Sequence, residues 1–211
     1  MIIIYATILT SLLQSYLVMG ELLQMFQVLS SDDFITSRWK NGGGITHEIA
    51  CSHSGDNWIW RISIAEVATD GPFSQFEGMS RILTVIEGKG VDLITPYGVI
   101  AALPLKPVAF SGDMDISSTL VDGEIKDLNI IFDFNKITAG VNLLRGPLIK
   151  ETGADKFGFL ALGGDVFVGS QLLKQGEFAL GSNSSLNLNT GSYGLWVSLS
   201  DKLPKANHTL E

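Results

Sequence analysis

One cysteine, three histidines and fourteen basic residues among 211 positions close off several kinds of chemistry before any motif is considered. The lone Cys51 excludes an intramolecular disulfide and a cysteine-based zinc cage, and it fits a reducing cytoplasm, the localisation expected here. His47, His53 and His208 are scattered, with no His-x-His pair, so neither a conventional transition-metal site nor another cofactor is expected. With 22 acidic residues and a net charge of -8, the chain lacks the clustered Lys and Arg that a nucleic-acid backbone requires. No Gly-x-Ser-x-Gly elbow occurs and Cys51 has no motif-based partner base, which leaves nucleophilic catalysis without a candidate. What the chain has in quantity is hydrophobic side chain, 45%, against 17% charged, the balance of a folded globular protein.

The first twenty residues, MIIIYATILTSLLQSYLVMG, are the most hydrophobic stretch. Thr7, Thr10, Ser11, Gln14 and Ser15 fall on one stripe of an α-helix, with Ile8, Leu9, Leu12, Leu13, Tyr16 and Leu17 opposite. Residues 1–25 are therefore expected to be an N-terminal amphipathic helical extension. A secretory signal or anchor is the alternative, although no Lys or Arg precedes Arg38, and a start assigned too far upstream is another. Membrane association is not expected.

Beyond residue 25 the sequence turns to short β-branched and aromatic runs such as GITHEIAC, WIWRISIAEV, RILTVIEG, IKDLNIIFDF, FGFLALGG and YGLWVSLS, punctuated by Gly, Pro, Asn and Asp. Strands about ten residues apart with no helical periodicity predict an all-β protein. The run DFNKITAG breaks the rhythm near residue 135, which divides the strands into halves at 26–135 and 136–211, packed as one unit. No internal repeat is visible by letter matching.

Two stretches carry residues suited to a site. In RWKNGGGITHEIA, residues 38–50, Gly42, Gly43 and Gly44 either form a plain turn or bulge, or present backbone amides to an anion. Lys40 and Asn41 flank them, and Thr46 and Glu48 alternate onto one face of the following strand, with Ile45, His47 and Ile49 on the other. In WRISIAEV the same alternation sets Trp60, Ile62 and Ile64 against Arg61, Ser63 and Ala65. Arg61 is expected either to pair with Glu48 as a buried ion pair or to grip a ligand carboxylate with its planar fork; both stay open at this point. Phe73 and Phe76, in the turn TDGPFS, read as plugs, and Arg81 is a second candidate cation.

Taken together and in order, WKNGGGITHEIA, WRISIAEVATDGPFSQFEGMSRILTVIEGKG, FSGD and DLNII resemble the HutD/Ves family of bacterial proteins over residues 26–135, and more weakly beyond. The resemblance implies a bicupin, two cupin-type β-barrel halves in one chain. It also implies a link to histidine utilisation through a small acidic ligand such as formiminoglutamate or urocanate. Where the family commonly has Pro-Gly-x-Asp-Arg, this chain has Glu77-Gly78-Met79-Ser80-Arg81. The expected function is thus a non-enzymatic sensor of a small acidic metabolite, with Lys40, Asn41, Gly42, Gly43, Thr46, Glu48, Arg61, Ser63 and Arg81 around the ligand. A metal-independent isomerase or hydrolase using Glu48 and Arg61 is the alternative, an interaction protein docking through its N-terminal helix is a third, and a homodimer is allowed for.

Overall fold

The computed structural model describes residues 26–53, 57–153 and 155–202. Residues 1–25, where the helical extension is expected, lie outside that range. Eleven strands come first: β1 (Phe26–Leu29), β2 (Ile35–Arg38), β3 (Gly44–Cys51), β4 (Trp60–Val67), β5 (Gly71–Pro72), β6 (Ser80–Glu87), β7 (Val91–Thr95), β8 (Gly98–Ala102), β9 (Val108–Ser111), β10 (Ser117–Leu120) and β11 (Ile125–Phe132). Eight more follow: β12 (Ile137–Arg145), β13 (Leu148–Glu151), β14 (Lys156–Gly163), β15 (Val166–Val168), β16 (Gln171–Leu173), β17 (Phe178–Gly181), β18 (Ser185–Leu188) and β19 (Tyr193–Asp201). The one helical element among the described residues is a single 3-10 turn, Ser31–Asp33, closed by a capping box between Ser30 and Asp33. No helix there is long and apolar enough to cross a membrane.

These strands make four antiparallel sheets stacked in layers. The first half contributes a six-stranded sheet, β2-β3-β4-β11-β6-β9, and a four-stranded one, β5-β10-β7-β8. The second contributes a five-stranded sheet, β1-β17-β14-β19-β12, and a four-stranded one, β13-β18-β15-β16. Each small sheet covers one face of its large partner, around Leu83, Val85, Leu93 and Phe110 in the first half and around Phe157, Phe159, Val166 and Leu186 in the second. The two large sheets meet back to back across Ile62, Ile64, Leu128, Ile130, Leu160, Phe178, Leu195 and Val197. Central strands are consequently buried on both faces, which is why β11 reads as the nearly unbroken apolar run LNIIF. Burying each such Leu or Ile stabilises the fold by about 1.5–3 kcal/mol.

Two features depart from the expected architecture. The backbone ladder does not run continuously around either half, so the halves are facing sheets rather than closed barrels. Two-residue β5 ends the small sheet at Pro72, which has no amide hydrogen to extend a ladder. Strand β1, assigned by the division at residue 135 to the first half, instead pairs along the β17 edge of the second, Phe26 opposite Gly181 and Leu29 opposite Phe178.

Candidate ligand-binding site

The triple glycine shapes a turn that seats an indole. The Gly42 amide donates to the Trp39 carbonyl and the Gly43 amide to Asn41 Oδ1, both at 3.0 Å, while the Trp39 amide donates to the Gly44 carbonyl at 3.0 Å. Gly42, at φ +75°, takes the left-handed conformation that the turn requires. At Gly44 a Cβ would collide with the Glu66 carbonyl of the neighbouring strand and meet the Trp39 ring at 3.1 Å. The bare backbone therefore lets Trp39 fold back, where its Nε1 donates to Thr46 Oγ1 at 2.8 Å and its ring meets Phe73 edge-on at 6.4 Å. The Gly42 and Gly43 amides are spent inside the turn, so they do not face an anion as one of the two readings of the motif would have it.

Trp39 closes one side of a cavity of about 250 Å³ on the inner face of the six-stranded sheet. Alternate residues of β4 (Arg61, Ser63, Ala65) and β11 (Asp127, Asn129, Ile131) form its floor with Arg81 of β6, and Ser37, Thr46, Phe73, Ser74 and Phe76 help to wall it. Register explains the grouping: Ile131 of β11 pairs with Arg61 on one side and with Arg81 on the other. An extra residue on β6, Ile86, makes a bulge where Asp127 pairs with Val85, a local irregularity of the sort that re-aims side chains near sites.

Both guanidinium groups rest on the same aromatic ring. The Phe76 centroid lies 5.2 Å from the Arg61 guanidinium carbon and 5.3 Å from that of Arg81. Arg61 also lies 4.9 Å from Trp58, and Arg81 lies 5.2 Å from Phe73 and 5.1 Å from Phe110, distances at which ring faces attract cations. The segment FSGD fixes Phe76 in place. Its Gly112 accepts from the Phe76 amide at 2.8 Å and donates to the Met79 carbonyl at 2.7 Å, while Asp113 accepts from the Gly78 amide at 2.8 Å. Gly112 leaves no room for a Cβ beside the Phe76 carbonyl.

Charge in this cavity is poorly compensated. Arg81, 5% exposed, donates from Nη1 to the Ser74 carbonyl at 3.1 Å, but its Nε, like that of Arg61, makes no hydrogen bond within the protein. Burial brings Arg81 down to about 10, with Asp127 holding it up and Arg61 pulling it further down; it stays protonated at neutrality. Burial likewise lowers Arg61, opposed by the charge of Glu48. Asp127, fully buried, is pushed up to about 7 by desolvation despite the pull of the Arg81 charge and of the neighbouring Asn129 side chain. Near pH 7 two cations thus face a carboxyl group only partly ionised, and the cavity is net positive.

Of the residues expected around a ligand, Thr46, Arg61, Ser63 and Arg81 line the cavity. Lys40, Asn41 and Gly42 lie exposed in the turn and Gly43 is buried beneath it; these four are outside the wall. Glu48 stands opposite Ser63 in the ladder, just before a bulge at Ile49, but is also outside the wall. The Arg61–Glu48 ion pair, one of the two readings of Arg61, is not among the contacts within 4.0 Å of the described residues; Glu48 acts on Arg61 through space. Sequence reasoning passed over Trp39, Ser74, Asp127 and Asn129. The available signal was a polar pair two apart in DLNII, interrupting a strand apolar at its other central positions. Burial pushes the Cys51 thiol up, away from the thiolate a nucleophile needs. His47 shares a 2.9 Å hydrogen bond with Thr36 and lies 3.6 Å from Glu66, as a packing residue would. Among the described residues, no three His, Cys, Asp or Glu side chains gather as a metal site would require.

A second cleft, also about 250 Å³, opens where the two large sheets meet, between Phe34, Ile64, Leu160 and Leu162. Its rim acids, Glu66 and Glu87, are already served by Lys126 at 3.3 and 3.6 Å.

Residues 31–202 match the HutD family model. The chain is 40% identical over 114 residues to the 21.2 kDa protein of the hutC 3' region of Pseudomonas putida, a match spanning 52% of this chain and 60% of that protein. It is 35% identical over 145 residues to Protein Ves of Escherichia fergusonii, across 67% of this chain and 72% of that one. The structure of HutD from Pseudomonas fluorescens SBW25 superposes with a TM-score of 0.75 at 29% identity, covering 84% of this chain and all of that one. At 9% identity, Ylba and the pirin YhhW, both from Escherichia coli, superpose with TM-scores of 0.68 and 0.61, over 85% and 82% of this chain and 93% and 98% of theirs. Likeness at that identity speaks to fold alone, and the fold is cupin-like.

Proposed function

The chain belongs to the HutD family, and from that premise we propose that it is a non-enzymatic sensor that holds a small carboxylate metabolite between Arg61 and Arg81 and acts in histidine utilisation. In this proposal its two sheet pairs are the halves of a cytoplasmic bicupin. The observation that carries it is the pair of guanidinium groups facing one cavity, each with a buried Nε that no protein acceptor satisfies. A carboxylate supplies two acceptor oxygens and the missing negative charge, and a guanidinium fork matches its geometry. A cavity of about 250 Å³ admits a metabolite rather than a polymer or a large cofactor. The hutC-region relative supports histidine utilisation as the setting, and the proposal takes a ligand of the formiminoglutamate or urocanate type. Glu48, the base of the enzymatic alternative, lies outside the cavity wall, which favours binding over turnover.

Calorimetric titration of formiminoglutamate, urocanate and glutamate tests the proposal. Arg61→Lys keeps the charge but loses the planar fork, and is expected to weaken binding by roughly 1.5–3 kcal/mol, about one to two decades. Unchanged affinity in a folded Arg61→Lys protein, or no binding of any of the three acids by wild type, defeats the proposal. Turnover of any of them replaces it with an enzyme.

A further inference from the structure

The two arginine Nε atoms are only two of the five buried polar atoms without a partner on the residues that line the cavity. Asp127 Oδ1, Asp127 Oδ2 and Asn129 Oδ1 are buried on residues 0% and 5% exposed, and no protein donor meets them in good hydrogen-bond geometry, although the Asn129 side chain lies close enough to Asp127 to draw it down. With Asp127 ionised all three are acceptors, and their residues sit on the floor shared with Arg61 and Arg81, displaced along β11 from the Ile131 row. Asn129 sits one inward row and Asp127 two rows along β11 from Ile131, at roughly 6–7 Å a row along the backbone. A simple carboxylate would satisfy the guanidinium groups and leave these acceptors unmatched, or bring a second acceptor against them.

We propose that the ligand is bipolar: a carboxylate gripped by Arg61 and Arg81 and, several bonds away, an N–H donor read by Asp127 and Asn129. This inference rests on the carboxylate reading and adds the feature that would distinguish one small acid from another. A buried site built to accept a hydrogen bond rejects an analogue lacking the donor, because its own acceptors are then left unpaired. Discrimination therefore resides in Asp127 and Asn129, and anchoring in the arginines.

Three acids with the same four-methylene chain separate the two claims. 5-Aminopentanoate carries an ammonium at its far end, hexanoate a methyl group and adipate a second carboxylate. Wild type at pH 7.5 is expected to bind 5-aminopentanoate about 10- to 100-fold more tightly than hexanoate, the range for a hydrogen bond to a charged group, with adipate weakest. Asp127→Asn should shrink the preference for the ammonium to a few-fold while hexanoate binds as well as before or better. If hexanoate or adipate binds as tightly as 5-aminopentanoate, the donor inference fails and the carboxylate reading stands. If wild type binds none of the three, both fail. If Asp127→Asn retains the full preference, the assignment to Asp127 fails.

Discussion

Asp127→Asn is expected to stabilise the ligand-free protein at pH 8 by about 4 kcal/mol, and to change its stability by less than about 1 kcal/mol at pH 4. The carboxyl group titrates near its ordinary 3.8 in the unfolded chain and at about 7 when folded. The folded state thus holds a proton that the unfolded state has given up throughout the interval between those values. A group raised in this way costs nothing below its unfolded pKa, and its cost grows as pH rises through the interval until the folded carboxyl ionises. Each pKa unit corresponds to 1.36 kcal/mol, and full burial leaves little solvent to screen the effect. Asparagine is a near-isostere of the neutral acid and removes the pH dependence. Arg81 and Arg61, the cations acting on this cavity, keep their charge across the range, so the difference between the two proteins isolates Asp127. Urea unfolding of both at pH 4, 6 and 8 provides the measurement. For a protein of this size the pH 8 difference amounts to roughly 10 °C in Tm. Parallel stability profiles would mean that the carboxyl is not desolvated as described.

The second large effect should come from the glycine turn, and it should discriminate among three adjacent glycines. Gly44→Ala is expected to cost about 3 kcal/mol, the upper part of the usual range for overpacking, because the obstacle is a backbone carbonyl that cannot rotate away. Gly42→Ala meets nothing within 4 Å and pays only for its left-handed backbone, about 1–2 kcal/mol. Gly43→Ala should cost less than Gly44→Ala, since its obstacle is the Thr69 hydroxyl at 3.0 Å, a side-chain atom that can give way, and its backbone is not left-handed. Any surviving Gly44→Ala protein should also lose ligand affinity, because Trp39 can no longer lie against the strand. Chemical denaturation of the three variants ranks them, and a Gly42→Ala protein less stable than Gly44→Ala would refute this account of the turn.

How much of this was legible in sequence depends on the range of the interaction. Two-residue alternation is local, so it placed Arg61, Ser63 and Ala65 on one face of β4 and Trp60, Ile62 and Ile64 on the other; the first set lines the cavity and the second joins the core between the large sheets. Strand β3 begins and ends where GITHEIAC does. Sequence left two readings of the glycines open because only the fold shows that the Gly42 and Gly43 amides have partners inside the turn, in Trp39 and Asn41. Asp127 and Asn129 escaped notice because a polar residue in a strand ordinarily faces water; only the packing of the small sheet over the large one shows that this face does not. No local pattern in FQVL could reveal that β1 would cross to the second half, since its partner β17 is chosen by tertiary fit.

That crossing strand has a consequence for the order of events on the ribosome. The residue that Phe26 must pair with, Gly181, is made roughly 150 residues after it. At typical synthesis rates of about 5–20 residues per second, β1 waits roughly 10–30 s with its backbone donors and acceptors unclaimed. The six-stranded sheet can assemble during that interval, since all its strands lie between β2 and β11. The five-stranded sheet cannot, and its edge closes only when the beginning of the described chain is brought back to meet its end. Joining the halves is thus a late act of folding that draws on both, and severing the chain near residue 135 would leave the second half without one of its own strands.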